Sequence, residues 1–174
     1  MQAPVFDTDF GRIGIQICFD IEWTDGWESL RDQGAELVLW PSAFAGGRAL
    51  NALASRYHYP IAASTQKDSA KIVDVSGADL AVSGRWEQAG VCLPLNLETA
   101  FVHTWPHYRH FDAMRQRYGR RLLIRSLHEE EWSIVESRDP ALNVKEVLRE
   151  FEVPTHDEMT REATVKQRSA RAKG

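Results

Sequence analysis

The chain has 174 residues, 43% hydrophobic and 26% charged, with a net charge of -4. That is the balance of a globular protein large enough for one real core, and it weighs against a nucleic-acid or membrane-surface protein as a whole. Two cysteines, Cys18 and Cys92, give no disulfide framework. No apolar run has the length of a membrane span, and "MQAPVFDTDF" lacks an apolar signal core, so the expected location is cytoplasmic, where free thiols stay reduced.

The stretch from Ile13 to Phe19 reads as a short strand, apolar on both faces apart from Gln16. A helix is expected next, with Asp25 as its cap, Glu28 as the capping-box partner and Gly34 as its stop. "AELVLWPSAF" is a second apolar strand. In "GGRALNALASRYHY", Leu50, Leu53, Ala54 and Tyr57 share one helical face. "PIAAST" is a third strand. "KIVDVSGADLAVSGRW" reads as a hairpin turning at Ser76-Gly77. This order predicts an α/β layer with helices on at least one sheet face.

After Gly90 the pattern becomes irregular and aromatic, with Pro94 and Pro106 as breaks. "DAMRQRYGRRLLIRSLHEEEW" reads as a charged helix interrupted at Gly119. Pro140 opens a short helix in its first turn, and Thr155 with Glu158 forms a capping box for a last one. The expected division is 1–110 for the α/β part and 111–174 for a C-terminal helical extension. This back portion is expected to extend the α/β layer, not to stand as an independent unit.

Cys18 ends the first strand, a few residues before the capped helix. A turn there exposes a thiol, and its N–H groups with the positive helix end favour a thiolate or an oxyanion. The local pattern leaves two readings, because free cysteine is also among the most buried residue types.

The longer string "DTDFGRIGIQICFDIEWTDGWESLRDQGAELVLWPSAF" resembles the nucleophile region of the carbon-nitrogen hydrolase (nitrilase) superfamily. The matching pieces are "FGRIG", the strand into "ICFD", the aromatic three positions after Asp20, "GAELV" and "PSAF". "ASRYHYPIAAST" and "KIVDVSG" continue the likeness, which covers about Val5 to Trp86. The resemblance implies a four-layer α-β-β-α sandwich, of which this chain would hold only part, with the N-terminal portion missing. It implies a cysteine thiolate that attacks an amide or nitrile carbon, through a thioester or thioimidate that water hydrolyses. Cys18 matches the nucleophile, and the Phe19 N–H an oxyanion donor. Trp23, Ser42 and Ala43 match pocket-lining positions. No cofactor or metal is implied. "CFD" followed by an aromatic looks like the amidase branch, which places amides or carbamoyl-amines ahead of nitriles. Thr24-Asp25 stand where many amidase-type members have Pro-Glu.

The same resemblance implies a glutamate base and a lysine that steadies the tetrahedral intermediate, both from segments before the cysteine. The seventeen residues before Cys18 contain neither Glu nor Lys. The nearby acids are Asp7, Asp9, Asp20 and Glu22. The last two lie in the turn, where a carboxylate usually bonds backbone N–H groups. The expectation is therefore an enzyme fragment inactive by itself, needing a missing N-terminal segment or a second copy as a homo-oligomer. The alternative is an inactive interaction module that pairs through an exposed sheet.

Three other features have plainer readings. His103, His107 and His110 fall at helical spacing, but Pro106 among them favours an aromatic loop over a metal site. The arginines from Arg115 to Arg125 are expected to pair with the acids of "HEEEW", so nucleic-acid binding is not expected. Trp23, Trp27 and Trp40 read as core or pocket wall, and Cys92, among apolar neighbours, as an inert buried thiol.

Overall fold

The alternation of apolar residues along the first three strands lays down a sheet, and two helices cover one of its faces. The computed structural model describes residues 3–66, 69–84 and 90–172. They form two units, Met1–Leu97 and Glu98–Gly174. In the first, β1 (Val5–Thr8), β2 (Gly11–Ile15), β3 (Leu37–Ser42), β4 (Ile61–Thr65), β5 (Lys71–Val73) and β6 (Asp79–Val82) form one sheet in sequence order. β2, β3 and β4 are parallel and the other pairings antiparallel. The parallel strands are joined by α1 (Thr24–Asp32) and α2 (Arg48–Tyr57), the crossovers that parallel pairing requires. The expected α/β class is what the first unit adopts.

Trp27 and Leu30 of α1 and Leu50, Leu53, Ala54 and Tyr57 of α2 share one core with Val38, Trp40, Ile61, Ala63 and Val73 of the sheet. Each large side chain fully withdrawn from water contributes about 1.5–3 kcal/mol. Gly14 lies on this face because a Cβ there would sit 2.7 Å from Leu30.

The opposite face is different. Pairing sets Phe6 beside Ile13 and Ile13 beside Leu37. Ile15 faces Leu39, which faces Ala62, which faces Ile72. Along β3 and β4, residues of this row are half-buried where their neighbours on the helix side are buried. Phe6 is 46% exposed. The sheet thus has one closed apolar face and one open apolar face.

Several local details differ from the sequence expectation. β2 ends at Ile15, and Cys18–Glu22 form a 3-10 turn rather than the end of the strand. Trp23 occupies the cap position of α1 without a side-chain bond, so Asp25 falls inside the first turn. A helix that starts two residues earlier leaves Asp25 inside the turn and no longer at its cap. Gly34 does end the helix, with φ +79 and its N–H on the Arg31 carbonyl. The hairpin turn forms as expected, with Asp74 accepting from the Ser76 and Ala78 N–H groups.

The second unit holds β7 (Thr99–His103), α3 (Thr104–Tyr118), β8 (Leu122–Leu127), β9 (Trp132–Ser137), α4 (Val144–Glu150) and α5 (His156–Arg171). Its antiparallel sheet has the order β7-β9-β8. It has its own core of Ala100, Val102, Phe111, Met114, Leu122, Ile124, Val135, Val144, Val147 and Leu148. The expected boundary at 110/111 falls inside α3, and the expected helical extension over 111–174 contains two of three strands. The charged run hid them: "LLIRSL" alternates, and cross-strand pairing to β9 decides its conformation. α4 starts at Val144 with Asn143 as its cap, so Pro140 lies before the helix and not in its first turn, while the Thr155–Glu158 capping box forms as expected.

Among the described residues no helix is long and apolar enough to cross a membrane. The open face predicts that the purified chain binds a hydrophobic dye such as ANS and self-associates on gel filtration. A monodisperse monomer that leaves the dye dark would show that this face is covered.

Candidate active site

The site begins with a backbone that a side chain seldom adopts. Cys18 has φ +49, a left-handed conformation that costs an L-residue roughly 1–2 kcal/mol. Such a residue persists where its surroundings over-determine it. Here two buried indoles do so. Trp40 Nε1 donates to the Cys18 carbonyl at 3.2 Å, and Trp27 Nε1 to the Asp20 carbonyl at 2.8 Å. Both side chains are fully buried. Within the turn, the Asp20 carboxylate accepts from the Ile17 N–H at 2.7 Å.

This backbone sends the thiol toward the C-terminal end of β3. The Ala43 N–H and the Ser42 hydroxyl, and to a smaller extent the Phe19 N–H, face the sulfur and favour its thiolate. They push the Cys18 thiol below its ordinary value, against burial and the nearby Asp20 charge. Ser42 Oγ in turn accepts from the Phe44 N–H at 3.1 Å, which orients its hydroxyl. Phe44 packs edge-on to Trp40 at 5.3 Å and to Phe19 at 6.0 Å. Cys18 itself is half-buried.

Cys18, Phe19, Ser42 and Ala43, expected from the sequence, are thus brought together. Trp23 takes no part in these bonds and stands 60% exposed where the turn meets α1. Trp27 and Trp40 are core residues, but their carbonyl contacts were not legible from spacing. Gln16 is buried, with its amide against Gly26, where a Cβ would sit 3.0 Å away. Of the four nearby acids, Asp7 pairs with Arg12 at 2.7 Å and Asp20 holds the turn.

The other features resolve separately. Cys92 is exposed, not buried: residues 90–98 form no helix or strand that would fold its apolar neighbours around it. His103 ends β7, while His107 and His110 lie in α3, so the stretch is not a loop. Among the described residues the three do not gather as ligands for one ion. Burial and the neighbouring His110, Arg109 and His103 hold the His107 imidazole below its usual value. Arg115, Arg117, Arg121 and Arg125 pair with Asp112, Glu150, Asp139 and Glu136. Asp112 lies in α3 itself, Glu150 in α4, Glu136 in β9 and Asp139 just after β9, so these four partners lie outside "HEEEW".

Residues 1–99, more than half of the chain, match the family model for carbon-nitrogen hydrolases. The chain belongs to the carbon-nitrogen hydrolase family. A probable hydrolase of Bacillus subtilis, YhcX, is 48% identical over 40 residues, which are 23% of this chain and 8% of that protein. A deaminated glutathione amidase of Yersinia enterocolitica is 42% identical over 40 residues, 23% of this chain and 14% of that one. The chain thus spans a small part of these curated relatives. An amidase from Nesterenkonia sp. AN1 is 24% identical, with TM-score 0.48, over 54% of this chain and 43% of that one. Saccharomyces cerevisiae Nit3, of the nitrilase superfamily, is 20% identical, with TM-score 0.46, over 49% and 38%.

For this carbon-nitrogen hydrolase chain the donors that face the sulfur give a direct expectation. Iodoacetamide alkylation of Cys18 should rise with pH to an inflection below the ~8.5 of a free cysteine. Ser42→Ala should move that inflection upward, because the thiolate loses a donor and the thiol does not. An unmoved inflection would mean that Ser42 does not support the thiolate.

Proposed function

We propose that this chain carries the nucleophile of a carbon-nitrogen hydrolase acting on a small amide or carbamoyl-amine, with a nitrile as the less favoured substrate. The observation that carries the reading is the Cys18 thiol, held at a left-handed backbone among the Ala43 N–H, the Ser42 hydroxyl and the Phe19 N–H. Donors fixed around a thiolate activate it as a nucleophile.

In this reading the Cys18 thiolate forms a bond to the carbonyl carbon, and the π electrons move to oxygen. The Phe19 N–H is a donor for that oxyanion. Collapse expels the amine, which leaves with a proton, and a thioester remains. Water adds to the thioester, and the acid departs as the thiol is regenerated. Trp23, Ser42 and Ala43 are assigned to line the substrate site because they match the family's pocket-lining positions. No cofactor or metal enters these steps. The amidase name of the Yersinia relative supports the amide class. A reactive thiol of this kind belongs in the reducing cytoplasm.

One group must give the amine its proton as an acid and take a proton from the water as a base, and the residues before Cys18 contain neither Glu nor Lys. Asp7 and Asp20 are engaged elsewhere. We therefore assign the base and a stabilising cation to groups outside this turn, and take the 174-residue chain by itself as inactive in amide turnover. The half-buried row from Ile13 to Ile72 also supports a second reading, an interaction module that pairs through this face without catalysis.

An activated ester separates the two readings, since its leaving group needs no proton. With p-nitrophenyl acetate the chain should release about one equivalent of nitrophenolate in a burst, and Cys18→Ala should abolish it. Mass analysis should find the acetyl group on Cys18. Amide turnover should stay at the level of Cys18→Ala. No burst and no acetyl-Cys18 would favour the interaction module.

A further inference from the structure

β5 carries a lysine where its pattern calls for an apolar residue. Lys71 lies on the helix-covered face, paired with Ala63 of β4, and is 7% exposed. A buried ammonium is costly unless its protons are used. Lys71 Nζ donates to the Gly47 carbonyl at 3.0 Å and to Asn51 Oδ1, and pairs with Asp79 at 3.1 Å. Asn51 Nδ2 extends the group to the Gly77 carbonyl at 2.7 Å and to Asp79 at 2.8 Å.

The Gly47 carbonyl closes the five-residue loop between β3 and α2. That loop starts with Ala43, whose N–H faces the Cys18 sulfur. It is pinned at its middle as well. A Cβ on Gly46 would sit 2.9 Å from both Leu50 and Trp40, and Phe44 packs on Trp40. Gly47, at φ +54 and ψ -137, adopts a conformation open to glycine and strained for other residues, so its peptide needs an anchor. The lysine is that anchor.

We propose that Lys71 is a positioning residue for the nucleophile: by holding the Gly47 carbonyl it fixes the β3–α2 loop, whose Ala43 N–H and adjoining Ser42 hydroxyl face Cys18. This rests on the reading of Cys18 as a nucleophile. Lys71 touches neither sulfur nor substrate and acts through the loop. A purely structural brace for the hairpin would share its contacts with Asn51 and Asp79, but would leave the chemistry of Cys18 alone.

The test is the pH profile of Cys18 alkylation by iodoacetamide, followed by peptide mass on the full chain. It is run beside thermal unfolding for the parent, Lys71→Met and Asp79→Ala. Lys71→Met should raise the inflection and slow alkylation about threefold at neutral pH, as expected for a smaller thiolate fraction. Asp79→Ala removes the hairpin carboxylate but leaves the lysine on Gly47, and should keep the parental profile even if it melts earlier. A folded Lys71→Met with the parental profile overturns the proposal, as does an equal shift in Asp79→Ala. Where Lys71→Met does not fold, Lys71→Gln is read by the same two outcomes. A parent protein whose Cys18 titrates as an ordinary free cysteine overturns the nucleophile reading together with this one.

Discussion

The first unit depends on one constraint, a cysteine whose backbone is held left-handed in the turn after β2. Nothing in the turn itself makes φ +49 comfortable for Cys18. The indoles of Trp40 and Trp27 hold it in place, because their buried N–H groups donate to the Cys18 and Asp20 carbonyls. An indole N–H left unpaired in the core would cost about 1–3 kcal/mol, comparable to the backbone cost it opposes. One tryptophan comes from the sheet and the other from α1. The layer packing therefore sets the turn, and the turn aims the sulfur at Ser42 and Ala43.

The same packing explains the asymmetry of the sheet. Helices cover the face that carries Val38, Trp40, Ile61 and Val73. The row from Ile13 through Leu39 to Ile72 lies on the other face and is only half-buried. An apolar surface of that kind is costly in water, which ties the chain's solution behaviour to whatever covers it. The indole bonds that hold the Cys18 turn come from the covered side. The Asp20 carboxylate stands near the sulfur but opposes the thiolate while it serves the turn.

Much of the first unit was legible in the sequence because its elements are local and strongly patterned. Leu50, Leu53, Ala54 and Tyr57 are all buried on one helix face, and Gly34 and Ser76-Gly77 turn the chain where their chemistry demands. Cys18, Phe19, Ser42 and Ala43 were named from an ordered resemblance, and the structure sets them side by side. The second unit was less legible. β8 carries Arg125 and Ser126 within six residues, and its charges read as helix until β9 pairs with it. Cys92 has apolar neighbours in sequence, yet neighbours in sequence do not enclose a side chain when no element forms. Lys71 was passed over because a strand of three residues gives no sign of what lies beneath it.

The measurement that tests the account most directly uses the chain's two thiols against each other. The native protein is treated with a limiting amount of iodoacetamide at pH 7, and the labelled peptides are quantified by mass. Cys92 is the exposed thiol and Cys18 the half-buried one, so accessibility alone would favour Cys92. The account predicts that Cys18 is labelled first, and that this preference is lost in urea, where both thiols are exposed and the donors around Cys18 are gone. Labelling of Cys92 ahead of Cys18 in the native protein would contradict it.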